Sequence, residues 1–264
     1  MGHRRTTPGA IIAAAFVCAS PAAPRTFAGE PSRGAPVLVE LFTSEGCSSC
    51  PPADATLATL ASDRSLSDVD VIALEEHVDY WNHLGWVDRF SSPEFSRRQA
   101  GYERTLRVGS IYTPQMVIDG RTELVGSHRQ QAVDAVSRAA TDRKLSLAIS
   151  ARSGDAADAL HVRIDMRAIH SGDVGADVWL AITEDGLSSS VAGGENGGRT
   201  LVHGPVVRIL RRVGGVDESR PVETEVRVAE EWKPERLRIV AFAQEAASRR
   251  VIGAAAIRFP TSPR

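Results

Sequence analysis

Two cysteines one helical turn apart, Cys47-Ser48-Ser49-Cys50, follow directly on the apolar run Val37 to Phe42. A strand that delivers such a pair to the start of a helix sets the first sulfur beside unpaired backbone N–H groups, which favour thiolate over thiol and make it a nucleophile. The second sulfur is then in reach to close a disulfide, so Cys47 is the expected nucleophile and Cys50 the resolving thiol. Two prolines follow Cys50. A residue ahead of proline is biased away from helix, so the helix is expected to begin only at Pro51, leaving Cys47 off its end with less help from the dipole. Nothing between the sulfurs is cationic. A disulfide that merely clips the chain is the competing reading, although a four-residue loop restrains the unfolded chain little.

Two other residues join the dithiol as candidates. Glu40 interrupts the apolar strand that leads into the motif. A carboxylate there would be partly desolvated and could exchange a proton with Cys50; alternatively it is a strand-end glutamate satisfied by an arginine or a backbone N–H. His77 stands with Asp79, Tyr80, Trp81, His83 and Trp86 in a long segment after the second strand. It is read either as a proton-transfer group under an aromatic lid or as a histidine bonded to Asp79 or backbone, with the rings simply packing the segment. Cys47, Cys50 and His77 would also form a soft ligand set for copper(I) or zinc, though no further C-x-x-C or H-x-x-x-H completes four ligands. No cofactor is expected.

The third cysteine, Cys18, falls in an N-terminal segment with His3, Arg4 and Arg5, a short apolar stretch from Ala10 to Ala19, and small residues before Ala22 or Ala28. This pattern reads as a secretory signal over residues 1–28, and the stretch is well short of the ~20 residues a spanning helix needs. A periplasmic or secreted protein follows, with no membrane span after signal removal. In an oxidising compartment the remaining pair can be disulfide bonded. The chain has 264 residues, 42% of them hydrophobic, and a formal net charge of −2. Such a length accommodates two modest domains, and so balanced a charge gives no reason to expect nucleic acid or an anionic membrane as partner. A protein or small-molecule thiol or disulfide is the expected substrate, and oligomeric state is left open.

Elements that would position these residues are readable in outline. Val37 to Phe42 suits a central strand, and Val69 to Leu74 a second one ending at Glu75-Glu76-His77. Ser91 or Ser92 caps a helix with Pro93 in its first turn, and Phe95, Tyr102 and Leu106 share a face. Met116 to Ile118 and Thr122 to Val125 flank the tight-turn pair Asp119-Gly120, and Ser127 with Gln130 forms a second capping box. From Lys144 the texture becomes β-rich, with helix-like spacing returning only around Val202 to Val213, and Gly193 to Arg199 is a polar glycine-rich loop that could clamp a ligand or close over the sulfurs, or be simply a turn, as such loops usually are.

The order strand, C-x-x-C, helix, strand, helix, hairpin, helix resembles the thioredoxin fold. The runs Val39 to Asp54, His77-Val78-Asp79-Tyr80-Trp81 with Leu84-Gly85-Trp86, Tyr112-Thr113-Pro114-Gln115-Met116, and Gly194 to His203 are similar to a family of secreted thioredoxin-like proteins, domain of unknown function 1223. The resemblance implies an α/β thioredoxin-like sandwich over residues 35–142, followed by an antiparallel, β-sandwich-like domain over 143–260. It also implies a cis-proline at Pro114 beside the disulfide, with Thr113 as the residue that pairs with substrate. Gly46 departs from the tryptophan that commonly precedes the first cysteine.

Overall fold

A computed structural model describes residues 1–3, 27–28, 35–62, 69–154, 156, 158–167, 175–217 and 219–260. The expected signal segment and Cys18 fall almost wholly outside these residues. The elements are β1 (Phe27–Ala28), β2 (Val37–Thr43), α1 (Pro51–Leu60), β3 (Val71–His77), α2 (Pro93–Leu106), β4 (Gln115–Ile118), β5 (Thr122–Val125) and α3 (Arg129–Ala139). They continue as β6 (Ser146–Ser153), β7 (Ala159–Arg167), β8 (Asp177–Glu184), β9 (Ser188–Ser190), β10 (Thr200–Val202), β11 (Val206–Gly215), β12 (Val222–Arg227), β13 (Leu237–Gln244) and β14 (Val251–Arg258).

Local expectations for the first half match this order. α1 starts at Pro51 with Cys50 as its N-cap, and the Ser92 hydroxyl accepts from the Glu94 N–H at the start of α2. The β4–β5 turn places Asp119 and Gly120 at φ 48° and 63°, the left-handed pair that a tight hairpin requires. The Ser127–Gln130 box does not form; α3 starts one residue later, from His128, without a side-chain cap.

The expected thioredoxin-like sandwich with a separate C-terminal domain is not what these elements build. β2, β3, β4 and β5 are half of one eight-stranded mixed sheet, ordered β14-β13-β8-β11-β3-β2-β4-β5. The joint is β11, which hydrogen bonds to β8 along its length and meets β3 in parallel at Val206 opposite Glu75. Strand residues outnumber helical ones by 41% to 19%, so sheet, not a helix–sheet–helix unit, dominates the architecture. A second sheet, β1-β6-β7-β12, packs on the far half of the first. Val206–Gly215, where the apolar spacing looked helical, is a ten-residue strand. Its register slips between Val207 and Ile209 and again between Arg212 and Gly214. Each slip adds a residue to the strand's period of two, which is how a strand acquires helix-like spacing.

Strand parity divides the long sheet into two faces. Val37, Val39, Leu41, Val71 and Ala73 face α1 and α3, and the β-sandwich core of Val178, Leu180, Ile239 and their neighbours continues the same side. Leu38, Ile72 and Leu74 face the opposite way, onto Phe95 of α2. Glu40 and Glu76 therefore lie on the α2 face, whereas Thr43, Glu75 and His77 share the α1 face with the dithiol.

Candidate functional site

Cys47 and Cys50 are joined as a disulfide. Both are fully buried, at 0% exposure, while Ser48 and Ser49 between them are exposed. The turn is closed by backbone bonds from Cys47 N–H to Ser44 O at 3.1 Å and from Cys50 N–H to Cys47 O at 3.2 Å. The Thr113-Pro114 peptide is cis, immediately ahead of β4. Trp81 links that corner to the motif. Its indole N–H donates to Thr113 Oγ1 at 2.9 Å, and its Cβ would sit 3.1 Å from any Cβ placed on Gly46. A side chain at residue 46 would press on the Trp81 Cβ, which fits the glycine there.

The glycine-rich loop covers the motif. Asn196, fully buried, donates from Nδ2 to the carbonyls of Glu45 and Cys47, both at 2.9 Å. Glu195 accepts from Ser48 N–H at 2.9 Å and from the Ser48 hydroxyl at 2.7 Å, and these two bonds hold its carboxyl below the usual range. Segments some 150 positions apart in sequence are thereby clasped across the dithiol.

Behind the motif runs a chain of buried hydrogen bonds: Asp88, His77, Glu75, His203, Glu45. His77 Nδ1 bonds Asp88 Oδ2 at 2.6 Å and its Nε2 bonds Glu75 Oε1 at 3.0 Å. His203 Nδ1 bonds the same Glu75 oxygen at 3.1 Å and its Nε2 bonds Glu45 Oε1 at 3.1 Å. The Gly204 N–H occupies Glu75 Oε2, and the Trp86 indole N–H donates to Glu45 Oε2. Every ring nitrogen faces a carboxylate oxygen, so each must donate and both imidazoles carry two protons. The electrostatics agree. Burial alone would push both histidines down, but Asp88 and Glu75 hold His77 well above its ordinary value, and Glu45 with Glu75 raise His203 to about 9. Burial would raise Glu75, yet the bonds from His203 and His77 bring it to about 2.

Asp54 stands on the same face, in the first turn of α1, its N–H bonded to Cys50 O at 3.1 Å and its Oδ1 accepting from the Thr43 hydroxyl at 2.7 Å. Burial, then the Glu75 charge, push its carboxyl up to about 8. Asp54 is therefore a neutral acid near pH 7. The folded state holds this proton over the range from about 4 to 8, where the unfolded chain has lost it, so stability falls as pH rises through that window. Asp54→Asn is expected to gain on the parent progressively from pH 5 to pH 8, reaching roughly 4 kcal/mol. Urea midpoints for both proteins at pH 5 and pH 8 check this; a difference that does not change with pH would refute it.

Of the residues expected to do chemistry, Cys47, Cys50, Thr113 and Pro114 are gathered around Trp81 and Gly46. His77 lies behind them, its Nδ1 on Asp88 and its Nε2 on Glu75 in place of Asp79, so neither ring nitrogen is turned toward the sulfurs as a dithiol copper set would need. Glu40 is on the opposite face of the sheet. Its oxygens are taken by Arg98 Nε and the Tyr102 hydroxyl, both at 2.5 Å, the arginine-satisfied alternative that the strand position allowed. Glu45, Asp54, Asp88, Glu195, Asn196 and His203 were not singled out as site residues. The only local signals for them were the position of Asp54 one turn beyond Cys50 and the repeated Gly, Asn and His of the 193–203 segment.

Residues 38–244 match the family described as Protein of unknown function (DUF1223). The fold is similar to the crystal structure of a structural-genomics target from Agrobacterium tumefaciens, at 27% identity and a TM-score of 0.62, covering 89% of this chain and 98% of that one. It is also similar to HBP35 of Porphyromonas gingivalis, at 13% identity and a TM-score of 0.62 over 89% of this chain and 80% of that one. No curated protein matches the chain.

Proposed function

The chain belongs to the DUF1223 family, and from the placement of its one paired dithiol we propose that it is an exported thiol–disulfide exchange protein whose resting disulfide is covered by a clasp. The observation that carries this reading is the juxtaposition of the Cys47–Cys50 disulfide with a neutral buried acid, Asp54, on the adjoining turn of α1. In exchange, a partner thiolate attacks Cys47 Sγ, the Sγ–Sγ bond breaks, and Cys50 leaves as a thiolate. Asp54 supplies the proton that neutralises it, the role that the sequence suggests for Glu40. A second partner thiolate then attacks the mixed disulfide at the partner sulfur and releases Cys47. The partner is oxidised by two electrons, the protein is reduced, and an external disulfide reverses the sequence. Thr113 and Pro114 border the surface on which a partner would lie, and a periplasmic or extracellular setting suits a disulfide that persists.

Full burial of both sulfurs requires that the clasp lift before attack. Glu195→Ala with Asn196→Ala is expected to speed reaction of the disulfide with glutathione roughly 10- to 100-fold, because the bonds that hold the loop on the motif are lost. Cys50→Ser should then accumulate mixed disulfides at Cys47, read by mass spectrometry under non-reducing conditions. The same burial favours a second reading, a disulfide that is purely a clip. A clasp variant that reacts no faster, together with a strongly negative reduction potential and no trapped adduct, would establish the clip instead.

A further inference from the structure

We propose that Glu75, His77 and His203 form a binding site for a divalent transition-metal ion, with zinc as the best-matched occupant, and that this ion ties the two halves of the long sheet together. The site is separate from the dithiol and does not depend on exchange chemistry.

Three donor atoms converge: one carboxylate oxygen of Glu75, Nε2 of His77 and Nδ1 of His203, all within 4.8 Å of one another and all on buried residues. The Glu75 oxygen lies 3.0 Å and 3.1 Å from the two nitrogens. Ligands about 2.1 Å from a shared ion at angles of about 90–110° stand about 3.0–3.4 Å apart, the separation of the Glu75 oxygen from each nitrogen, and the ion enters as that oxygen swings off the two N–H axes. Two imidazoles and a carboxylate are a donor set that zinc takes readily.

The surroundings repeat the pattern of built metal centres. A ligating histidine characteristically gives its other ring N–H to a carboxylate, which fixes the tautomer and turns the lone pair toward the metal. Both rings do so here. His77 Nδ1 is on Asp88 and His203 Nε2 is on Glu45. Those carboxylates are themselves anchored, Asp88 by the Glu45 and Phe90 N–H groups and Glu45 by the Trp86 indole. The second oxygen of Glu75 is held by Gly204 N–H. Phe90 closes the side, its ring centroid 5.4 Å from that of His77 and 5.3 Å from that of His203. Charge also balances. One divalent cation replaces the two inner protons of the rings, so three carboxylates and two imidazoles carry the same total charge with either filling.

Position gives the ion its consequence. Glu75 and His77 project from β3, and His203 comes from the link between β10 and β11, so the ligands span the one place where the halves of the sheet meet, Glu75 opposite Val206.

The full chain, purified and stripped with a chelator, is titrated with zinc against a chromogenic competitor, and with cobalt(II) as a spectroscopic probe. Expected are one zinc per chain, a thermal midpoint that rises with zinc, and cobalt d–d bands without the sulfur-to-metal charge-transfer band of a thiolate site. Cys47→Ser with Cys50→Ser should leave stoichiometry unchanged. Glu45→Gln should weaken binding about 10- to 100-fold, and His203→Asn by more. Failure of wild-type protein to bind zinc at about 10 µM free ion, with no shift in midpoint, overturns the proposal. So does loss of the metal in the double serine variant or full retention by His203→Asn. Should His203→Asn not fold, the cobalt spectrum of the wild type decides alone, since absent d–d bands or a thiolate band each refute the assignment.

Discussion

Glu75→Ala is expected to destabilise the protein by about 3–5 kcal/mol, lowering the thermal midpoint by roughly 10 °C. Glu75 is the hub of the buried network: one oxygen receives both histidines and the other receives Gly204 N–H. Without it, two imidazolium rings face each other across a void, with centroids 4.9 Å apart. Each ring can shed its inner proton, and that escape caps the cost. Glu75→Gln should cost less than Glu75→Ala, because its oxygen can keep the Gly204 N–H while its amide N–H groups donate to ring nitrogens that have shed their inner protons. Guanidinium unfolding monitored by tryptophan fluorescence measures both variants. A loss under about 1 kcal/mol for Glu75→Ala would mean that the network is replaceable by water.

Arg98→Met is expected to cost a similar amount, about 3–5 kcal/mol, for a different reason. Arg98 is the counter-charge of Glu40, and both are buried, with a salt bridge of 2.5 Å. Glu76 lies alongside at 3.6 Å from the guanidinium; burial and the Glu40 charge keep its carboxyl neutral, well above the ordinary value. Methionine fills most of the space and makes apolar contact with Trp179 and Phe242, whose rings lie 5.2 Å from the guanidinium carbon. Packing is largely kept, then, and what is lost is the cation, leaving the Glu40 carboxylate stranded. Combining Arg98→Met with Glu40→Gln removes the stranded charge and should recover at least half of the loss, since breaking a buried pair costs far more than replacing it whole. Denaturant midpoints of the two single variants and the double variant close the cycle. Strict additivity would show that Arg98 acts only through its packing.

These two clusters mark the boundary of what is readable along the chain. Ser92 as a cap, Pro51 as the first residue of α1, and the Asp119-Gly120 turn are short-range events, set by steric and hydrogen-bonding rules within a few residues, and each was legible. The neighbours of Cys47 were not. Asn196 and Glu195 reach it from about 150 positions away; closure of the 193–199 loop over the sulfurs was one reading beside an ordinary turn, but no residue within it stood out. Glu40 was legible as unusual, with an arginine-satisfied structural role as one of two readings, but its partner was not, because Arg98 sits on a helix 58 residues later. His77 stood out as a candidate, while His203 did not, since a single histidine after a glycine-rich loop carries no periodicity.

By itself, the order of residues determined the local elements of the first half, the paired cysteines at a helix start, and the alternation that sends Glu75 and His77 to one face of β3 and Glu76 to the other. Only the tertiary structure decided that β11 docks on the edge of β3. Backbone hydrogen bonds between strands carry no side-chain code, and two bulges hid the strand's own period. That single pairing merges the expected domains into one sheet, brings His203 to Glu75, and lays the glycine-rich loop over the disulfide.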